Sequence, residues 1–294
     1  MSESACFPEH LTAAAIDFGG TNIDVLLRRD GVFHRYFYRS GREMNVGLVH
    51  DVLGQSGVLD IRALQWLAVT GGRHRELPDT IDGVAVIKVP ELHAVARGGQ
   101  LASGLDETLV ASLGTGTMIA GVRGSRIQHL GGTGVGGGTL LGLSRLLLGT
   151  ANALKVDHLA REGDAGRIDL TVGDIVGGPV GMIPPDATAS HFGKASGIVA
   201  GTWVGDESQV GREDVAAALM NLVGQAVLRL ALLAASANGY RSVVLLGHLA
   251  DLQGIQRAAG EIGRLFGGHL IVPPYPGHGI ALGALAEAAA AVGV

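Results

Sequence analysis

The chain has 294 residues, enough to bury a large core in one or two domains. Its 47% hydrophobic and 17% charged residues describe a folded globule, and a net charge of −5 without a lysine/arginine run excludes a nucleic-acid backbone as the expected partner. A single cysteine, Cys6, excludes an internal disulfide and a multi-cysteine metal site, and suits the reducing cytoplasm where the chain is expected to work.

The start, Met1-Ser2-Glu3-Ser4, has neither a basic nor a long apolar region, so no secretory leader is expected. No membrane span is expected either: the apolar stretch from Ala226 to Ala235 is interrupted by Arg229 and is too short. Thr12 to Asp17 and Ile23 to Arg28 read as two strands of a hairpin, with Val32 to Tyr38 as a third strand. A helix is expected over Asn45 to Leu53, a strand over Gln65 to Thr70, and a short strand over Val84 to Val89. A second helix begins at Glu91, directly after Pro90, where proline is well placed to start one.

The pattern then repeats. Glu107 to Leu113 and Met118 to Val122 form a second hairpin, Arg126 to Leu130 a further strand, and a helix runs from about Gly138 to Leu148. Gly173 to Asp186, rich in glycine and proline, reads as a loop. Val215 to Ala237 is a long helix and Ser242 to Leu246 a buried strand. Gly254 to Phe266 is a helix, His269 to Val272 a strand and Ile280 to Ala291 the last helix. Two hairpin-plus-helix modules imply two α/β lobes around a cleft, divided as 1–100 and 101–294.

Each hairpin carries a Gly/Thr turn. The first reads Asp17-Phe18-Gly19-Gly20-Thr21-Asn22 and the second Gly114-Thr115-Gly116-Thr117. Glycine lets backbone N–H groups face an anion, and threonine and asparagine add donors. Two such turns from different parts of one chain can grip a polyphosphate from both sides, which makes a nucleotide-dependent phosphotransferase the first reading. Asp17 would repel phosphate directly but can hold Mg2+ or its water shell. The plain alternative for each turn is an ordinary hairpin loop.

A third glycine cluster, residues 131–138 of a chain with 48 glycines, precedes a helix whose N-terminus favours anions. It contains a Gly-x-Gly-x-x-Gly spacing, but no apolar strand leads into Asp157 beyond it, so a dinucleotide fold is disfavoured. No Gly-Lys-Ser/Thr follows it, so it is not a Walker loop. Glu91, at a strand end, is the candidate general base for an acceptor hydroxyl, with a surface carboxylate at a helix start as the alternative. His74, His93, His129, His191, His248 and His278 are scattered and lack the close pairing of a zinc site.

From about Ala15 to Leu285 the chain resembles the type II pantothenate kinases, a branch of the acetate/sugar kinase, heat-shock ATPase and actin superfamily. The resemblance is most specific at Val135-Gly136-Gly137-Gly138-Thr139-Leu140-Leu141-Gly142-Leu143. It continues at Pro185 to Gly193, Val243 to Gly247 and Gly283-Ala284-Leu285. It implies a two-lobed actin-like ATPase (ribonuclease H-like) α/β fold and ATP-dependent, Mg2+-requiring phosphorylation of a primary hydroxyl. The reaction implied is pantothenate to 4′-phosphopantothenate, in coenzyme A synthesis.

The resemblance also implies site residues. Glu91 falls on the catalytic glutamate. ATP contacts fall on Asp17, Phe18, Gly19, Gly20, Thr21, Asn22, Ile23 and Asp24, on Gly114, Thr115 and Gly116, and on Gly137, Gly138, Thr139, Leu140 and Leu141. His248 falls beside the adenosine, where the family has a small residue. Thr115, Thr117, Met118 and His129 fall at the acceptor, and Asp17 at the metal. A homodimer joined through second-lobe helices is implied, which suits the helix at 215–237.

Three positions depart from the family pattern: His129 replaces an arginine, Met118 a serine, and Pro276-Gly277-His278 a different closing motif. An arginine clamps a carboxylate at two points, whereas a histidine is only partly charged at neutral pH. The acceptor is therefore expected to be pantothenate or a related small alcohol. A sugar kinase of the same superfamily is the first alternative, although one cysteine cannot supply the zinc motif common in its repressor-like group. A non-catalytic nucleotide or acyl-CoA sensor is the second; Asp17 and Glu91 argue against it.

Overall fold

The computed structural model describes residues 7–196 and 210–294. Cys6 and the Met1-Ser2-Glu3-Ser4 start lie outside these residues. The first sheet contains β1 (Ala13–Phe18), β2 (Asn22–Arg29), β3 (Val32–Arg39), β4 (Leu67–Gly71), β5 (Thr80–Ile81) and β6 (Val84–Lys88), in the order β3-β2-β1-β4-β6-β5. β1, β2 and β3 are antiparallel neighbours, and β1-β4-β6 run parallel. The helices α1 (Val46–Gln55) and α2 (Glu91–Ser103) belong to the same half.

The second sheet repeats this plan with β7 (Glu107–Leu113), β8 (Thr117–Arg123), β9 (Arg126–Thr133), β12 (Ser242–Leu246) and β13 (His269–Ile271). Its order is β13-β12-β7-β8-β9, again two antiparallel hairpin steps followed by parallel neighbours. Between β9 and β12 come α3 (Gly137–Leu148), α4 (Ala153–Glu162), β10 (Leu170–Thr171), α5 (Val172–Val176), β11 (Thr188–Ser190) and α6 (Arg212–Ala237). The chain ends with α7 (Gln253–Phe266) before β13, and α8 (Gly279–Val292) after it.

Burial follows strand alternation. Side chains on β1 point to opposite faces in turn, and both faces are covered. Ala14, Ile16 and Phe18 join the core under α1, while Ala13 and Ala15 join a middle layer with α2 and α8. On β7, Leu109, Ala111 and Leu113 face α6, and Val110 faces that same middle layer. The layers are therefore α1, first sheet, α2 with α8, second sheet, and α3, α4, α6 and α7.

The middle layer depends on small residues. A Cβ on Gly283 of α8 would overlap the Ala94 carbonyl of α2, and one on Gly98 would overlap the Gly279 carbonyl. The helices thus meet backbone to backbone. The expected division near residue 100 falls inside α2, and α8 returns from the chain's end to share a core with β1, β2 and β4.

Some expectations change. The loop expected over 173–186 begins with α5, because Thr171 and Asp174 cap each other: Asp174 N donates to Thr171 Oγ1 at 3.1 Å and Thr171 N to Asp174 Oδ2 at 2.8 Å. β9 runs to Thr133, so Gly131 and Gly132 are strand residues and only 134–136 link β9 to α3. α4, capped by Asn152, has no counterpart among the expected elements. Among the described residues α6 alone is long and apolar enough to cross a membrane, with mean hydropathy 1.7, but half of that window is buried inside the fold.

Candidate active site between the two hairpin turns

Asp17 is the next-to-last residue of β1 and lies opposite Asp24 of β2 in the strand register. Each is only 5% exposed. The turn that follows leans on the turn between β7 and β8. Thr21 Oγ1 and Thr115 Oγ1 share a hydrogen bond at 3.0 Å. A Cβ on Gly20 would stand 2.8 Å from Thr115 Oγ1, so glycine allows the two turns to meet. Gly71, at φ +85°, gives Asp17 its space: a Cβ there would stand 2.5 Å from Asp17 Oδ1.

The start of α3 braces the second turn. Gly137 N donates to Gly114 O at 2.8 Å and Gly138 N to Thr115 O at 2.9 Å. Thr117 Oγ1 donates to Val135 O at 2.8 Å, and Thr139 Oγ1 receives Gly136 N at 3.2 Å. The resemblance implies ATP contacts at Gly137 and Gly138. These two N–H groups are already used to hold the neighbouring turn.

Between the lobes lies a cleft of about 500 Å³. Of the residues expected at the site, Asp17, Phe18, Gly19, Gly20, Thr21, Asn22, Asp24, Glu91, Gly114, Thr115, Gly116, Thr117, Met118, Gly137, Leu140, Leu141 and His248 line it. Glu91 is the first residue of α2, exposed to the cleft, after Pro90. Four expected residues do not line it. Ile23 is buried in the core under α1. Gly138 and Thr139 face the second turn and the Gly134 carbonyl. His129 is exposed beside Ala120, beyond an irregularity in the β8–β9 register that separates it from the Met118–Gly132 pair, of which Met118 lines the cleft.

The cleft also has walls outside the expected site residues: Gly72, Ser112, Leu113, Thr133, Ala153, Gly247, Leu249, Leu252, Gly277 and Ile280. Leu249, Leu252 and Ala153, with Leu113 and Leu140, bring one hydrophobic cluster of the second lobe to the cleft wall. Gly247, at φ +91°, marks a close approach, since a Cβ there would stand 2.5 Å from the Leu113 carbonyl oxygen. A glycine directly after the buried strand Ser242–Leu246 was the readable signal. The rest depends on tertiary folding.

The electrostatics are uneven. Burial, then the charges of Asp24 and Glu91, raise the Asp17 carboxyl well above its usual range, with His248 opposing. Burial works against a charged His248, but hydrogen bonds to Asp24 and Asp251 outweigh it and push the imidazole up to about 10. His278, beside it, is lowered by burial. Among the described residues no group of three or more His, Cys, Asp or Glu side chains forms a metal cage. With Asp24 bonded to His248, the buried Asp17 carboxylate suits a cation whose other ligands are phosphate oxygens and water, the usual manner of Mg2+.

Comparison with known proteins places the chain in a family and a fold. Residues 107–256 match the sequence model of the family described as Fumble. A type II pantothenate kinase of Bacillus cereus is 31% identical over 63% of this chain and 66% of its own length, and another from that species is 32% identical over 63% and 67%. One from Oceanobacillus iheyensis is 29% identical over 82% of this chain and 86% of its own. The alignment thus spans a little under two thirds of the first of these relatives.

Among solved structures, the activator of 2-hydroxyisocaproyl-CoA dehydratase from Clostridium difficile, with bound ADPNP, superposes with a TM-score of 0.63. It has 19% identity and covers 95% of this chain and 94% of its own. A ROK hexokinase from Thermus thermophilus gives 0.52 at 16% identity, over 94% and 98%. The fold is that of the two-lobed actin-like ATPases and sugar kinases. With half of its length matched by the family's model, the chain belongs to the Fumble family, that of the type II pantothenate kinases.

Proposed function

We propose that this protein is an ATP-dependent kinase that phosphorylates the primary hydroxyl of a small molecule, with pantothenate as the first acceptor to test. One observation carries the reading: Asp17, Glu91 and both Gly/Thr turns line the same cleft. Named relatives that are type II pantothenate kinases support the acceptor.

The chemistry follows from position. The turns at 19–21 and 114–116 flank the polyphosphate, and the apolar wall of Leu140, Leu249 and Leu252 receives the base. Asp17 would hold Mg2+, which would supply positive charge to the phosphate oxygens. Glu91 faces the cleft from the start of α2 and accepts the proton of the acceptor hydroxyl as that oxygen attacks phosphorus. The carboxylate ends protonated, and ADP leaves with the former γ-phosphoryl bond broken.

A homodimer is the assembly this reading expects, and a cytoplasmic setting its location. Leu233 on α6, Leu146 on α3 and Met182 are exposed apolar side chains on the second lobe, available to a second copy. Light scattering at micromolar concentration tests that. The function is tested by ADP release with Mg-ATP and a panel of pantothenate, pantetheine and sugars, with product mass checked. The expected result is turnover with pantothenate and none with glucose. ADP release only with sugars would replace the reading by the sugar kinase alternative.

A further inference from the structure

Beside the phosphate turns, a polar seam joins the lobes. Asp24 Oδ1, on β2, lies 2.7 Å from His248 Nε2 in the segment after β12, and His248 Nδ1 lies 2.9 Å from Asp251 Oδ2. A neutral imidazole has one N–H and one lone pair. With a carboxylate oxygen at hydrogen-bonding distance from each nitrogen, a neutral ring would turn a lone pair on one of them. The doubly protonated ring satisfies both, so His248 is a cation held between carboxylates of opposite lobes.

The ring has little freedom to move. Phe37 of β3 stands over it with centroids 5.3 Å apart, and His278 meets it edge-on at 5.8 Å. His278 is itself hydrogen-bonded to the Tyr36 carbonyl at 3.1 Å. Gly277 is close enough that a Cβ would overlap the ring. The seam therefore joins β2 and β3 to the segments after β12 and before α8.

We infer that His248 is a positioning residue: it takes up the Asp24 carboxylate from across the cleft, leaves Asp17 as the carboxylate free for the cation, and holds the lobes at the spacing in which Mg-nucleotide binds. This rests on the kinase reading above. Asp17 and Asp24 are opposed in the strand register, so without the imidazolium two buried carboxylates compete for one cation. A passive strut between lobes would affect stability without selecting Asp24 or the nucleotide.

The experiment uses the full chain. With 15N-histidine labelling and resonance assignment, His248 is expected to be doubly protonated at pH 8, where ordinary histidines, with pKa about 6.5, are neutral. Its signals are expected to move on saturation with Mg-ADP, while those of the exposed His50 and His158 stay. A neutral His248, or one that Mg-ADP leaves unmoved, would overturn the proposal, and neither result requires a variant to fold. Calorimetry of Mg-ADP with Asp24→Asn, His248→Gln and the double variant gives the second arm. Each single change is expected to weaken binding about ten-fold, and the double no more than the worse single. Losses that multiply to about a hundred-fold would show two independent residues and overturn it. A wild type that binds Mg-ADP while His248→Gln binds equally well defeats the positioning role alone; a wild type that binds no nucleotide defeats the kinase reading.

Discussion

The two hairpin turns share a backbone plan but not a chemistry. In the first, Asp17 stands opposite Asp24; in the second, the matching pair is Ser112 and Met118. Residues 19–22 lie between the last paired residues of the first hairpin, and only 114–116 in the second. The second turn is fixed by the α3 amides, whereas the first rests on Thr115 alone among side-chain bonds between the turns. The fold thus repeats, while negative charge is confined to one side of the cleft. A rigid, neutral turn suits phosphate oxygens, and an acidic turn suits the cation that accompanies them.

That contrast breaks first if the acidic side is not where the reaction is driven. Glu91→Gln is expected to lower kcat by about 10²–10⁴-fold, because it removes a proton acceptor and little else. The KM for Mg-ATP should change less than two-fold, within about 0.4 kcal/mol. Steady-state kinetics check both, and near-normal turnover removes Glu91 from the mechanism. Asp17→Asn should cost about 10² in kcat/KM for Mg-ATP, by analogy with losing one preorganised charge contact. It should also raise the melting temperature of the nucleotide-free protein, because the amide replaces a carboxylate that burial, Asp24 and Glu91 all disfavour. A lower melting temperature would show that the Asp17 charge is satisfied without a cation.

The two turns are legible because each ends an apolar strand, buried on both faces, with glycine and small hydroxyl residues; β7 and β12 match the expected ranges residue for residue. Glycine content alone could not tell which amides stay free. The Gly137 and Gly138 amides looked like anion donors, but pairing with Gly114 and Thr115 across more than twenty positions uses them. The resemblance implies His129 at the acceptor, but it pairs with Ala120, past the register irregularity at Ile119 and Ala120, and does not line the cleft. The Asp24–His248 contact, 224 positions apart, has no local signature at all. The short α5 was missed for a different reason: its Thr171/Asp174 cap was present in the sequence but lay in a stretch whose glycines and proline pointed to a loop.

The contact between the turns can be tested at a single methyl group. In Gly20→Ala the new Cβ would press on Thr115 Oγ1 at 2.8 Å and displace that hydroxyl from its hydrogen bond with Thr21. The expected outcome is a KM for Mg-ATP raised about ten-fold, with stability lowered by about 1–3 kcal/mol. Gly31→Ala, at the other end of β2, meets nothing within 4 Å but sits at φ +74°. It should cost about 1 kcal/mol of stability and leave the KM unchanged. If both variants alter KM equally, the turn-to-turn contact has no special part in nucleotide binding.

His248 tests what the second lobe gives the first. The first turn carries two carboxylates and no cation of its own, and His248 supplies one from across the cleft. Its folded pKa of about 10 lies above the ordinary value of 6.5, so the native state holds that proton more tightly than the unfolded chain does. The stabilisation is therefore complete below about 6.5 and declines as pH rises, until it is lost above about 10. Melting temperatures of the wild type and His248→Gln should be furthest apart near pH 6 and converge towards pH 10. A gap that stays constant across this range would mean that His248 contributes packing and not charge, and the acidic turn would then have to be balanced from within its own lobe.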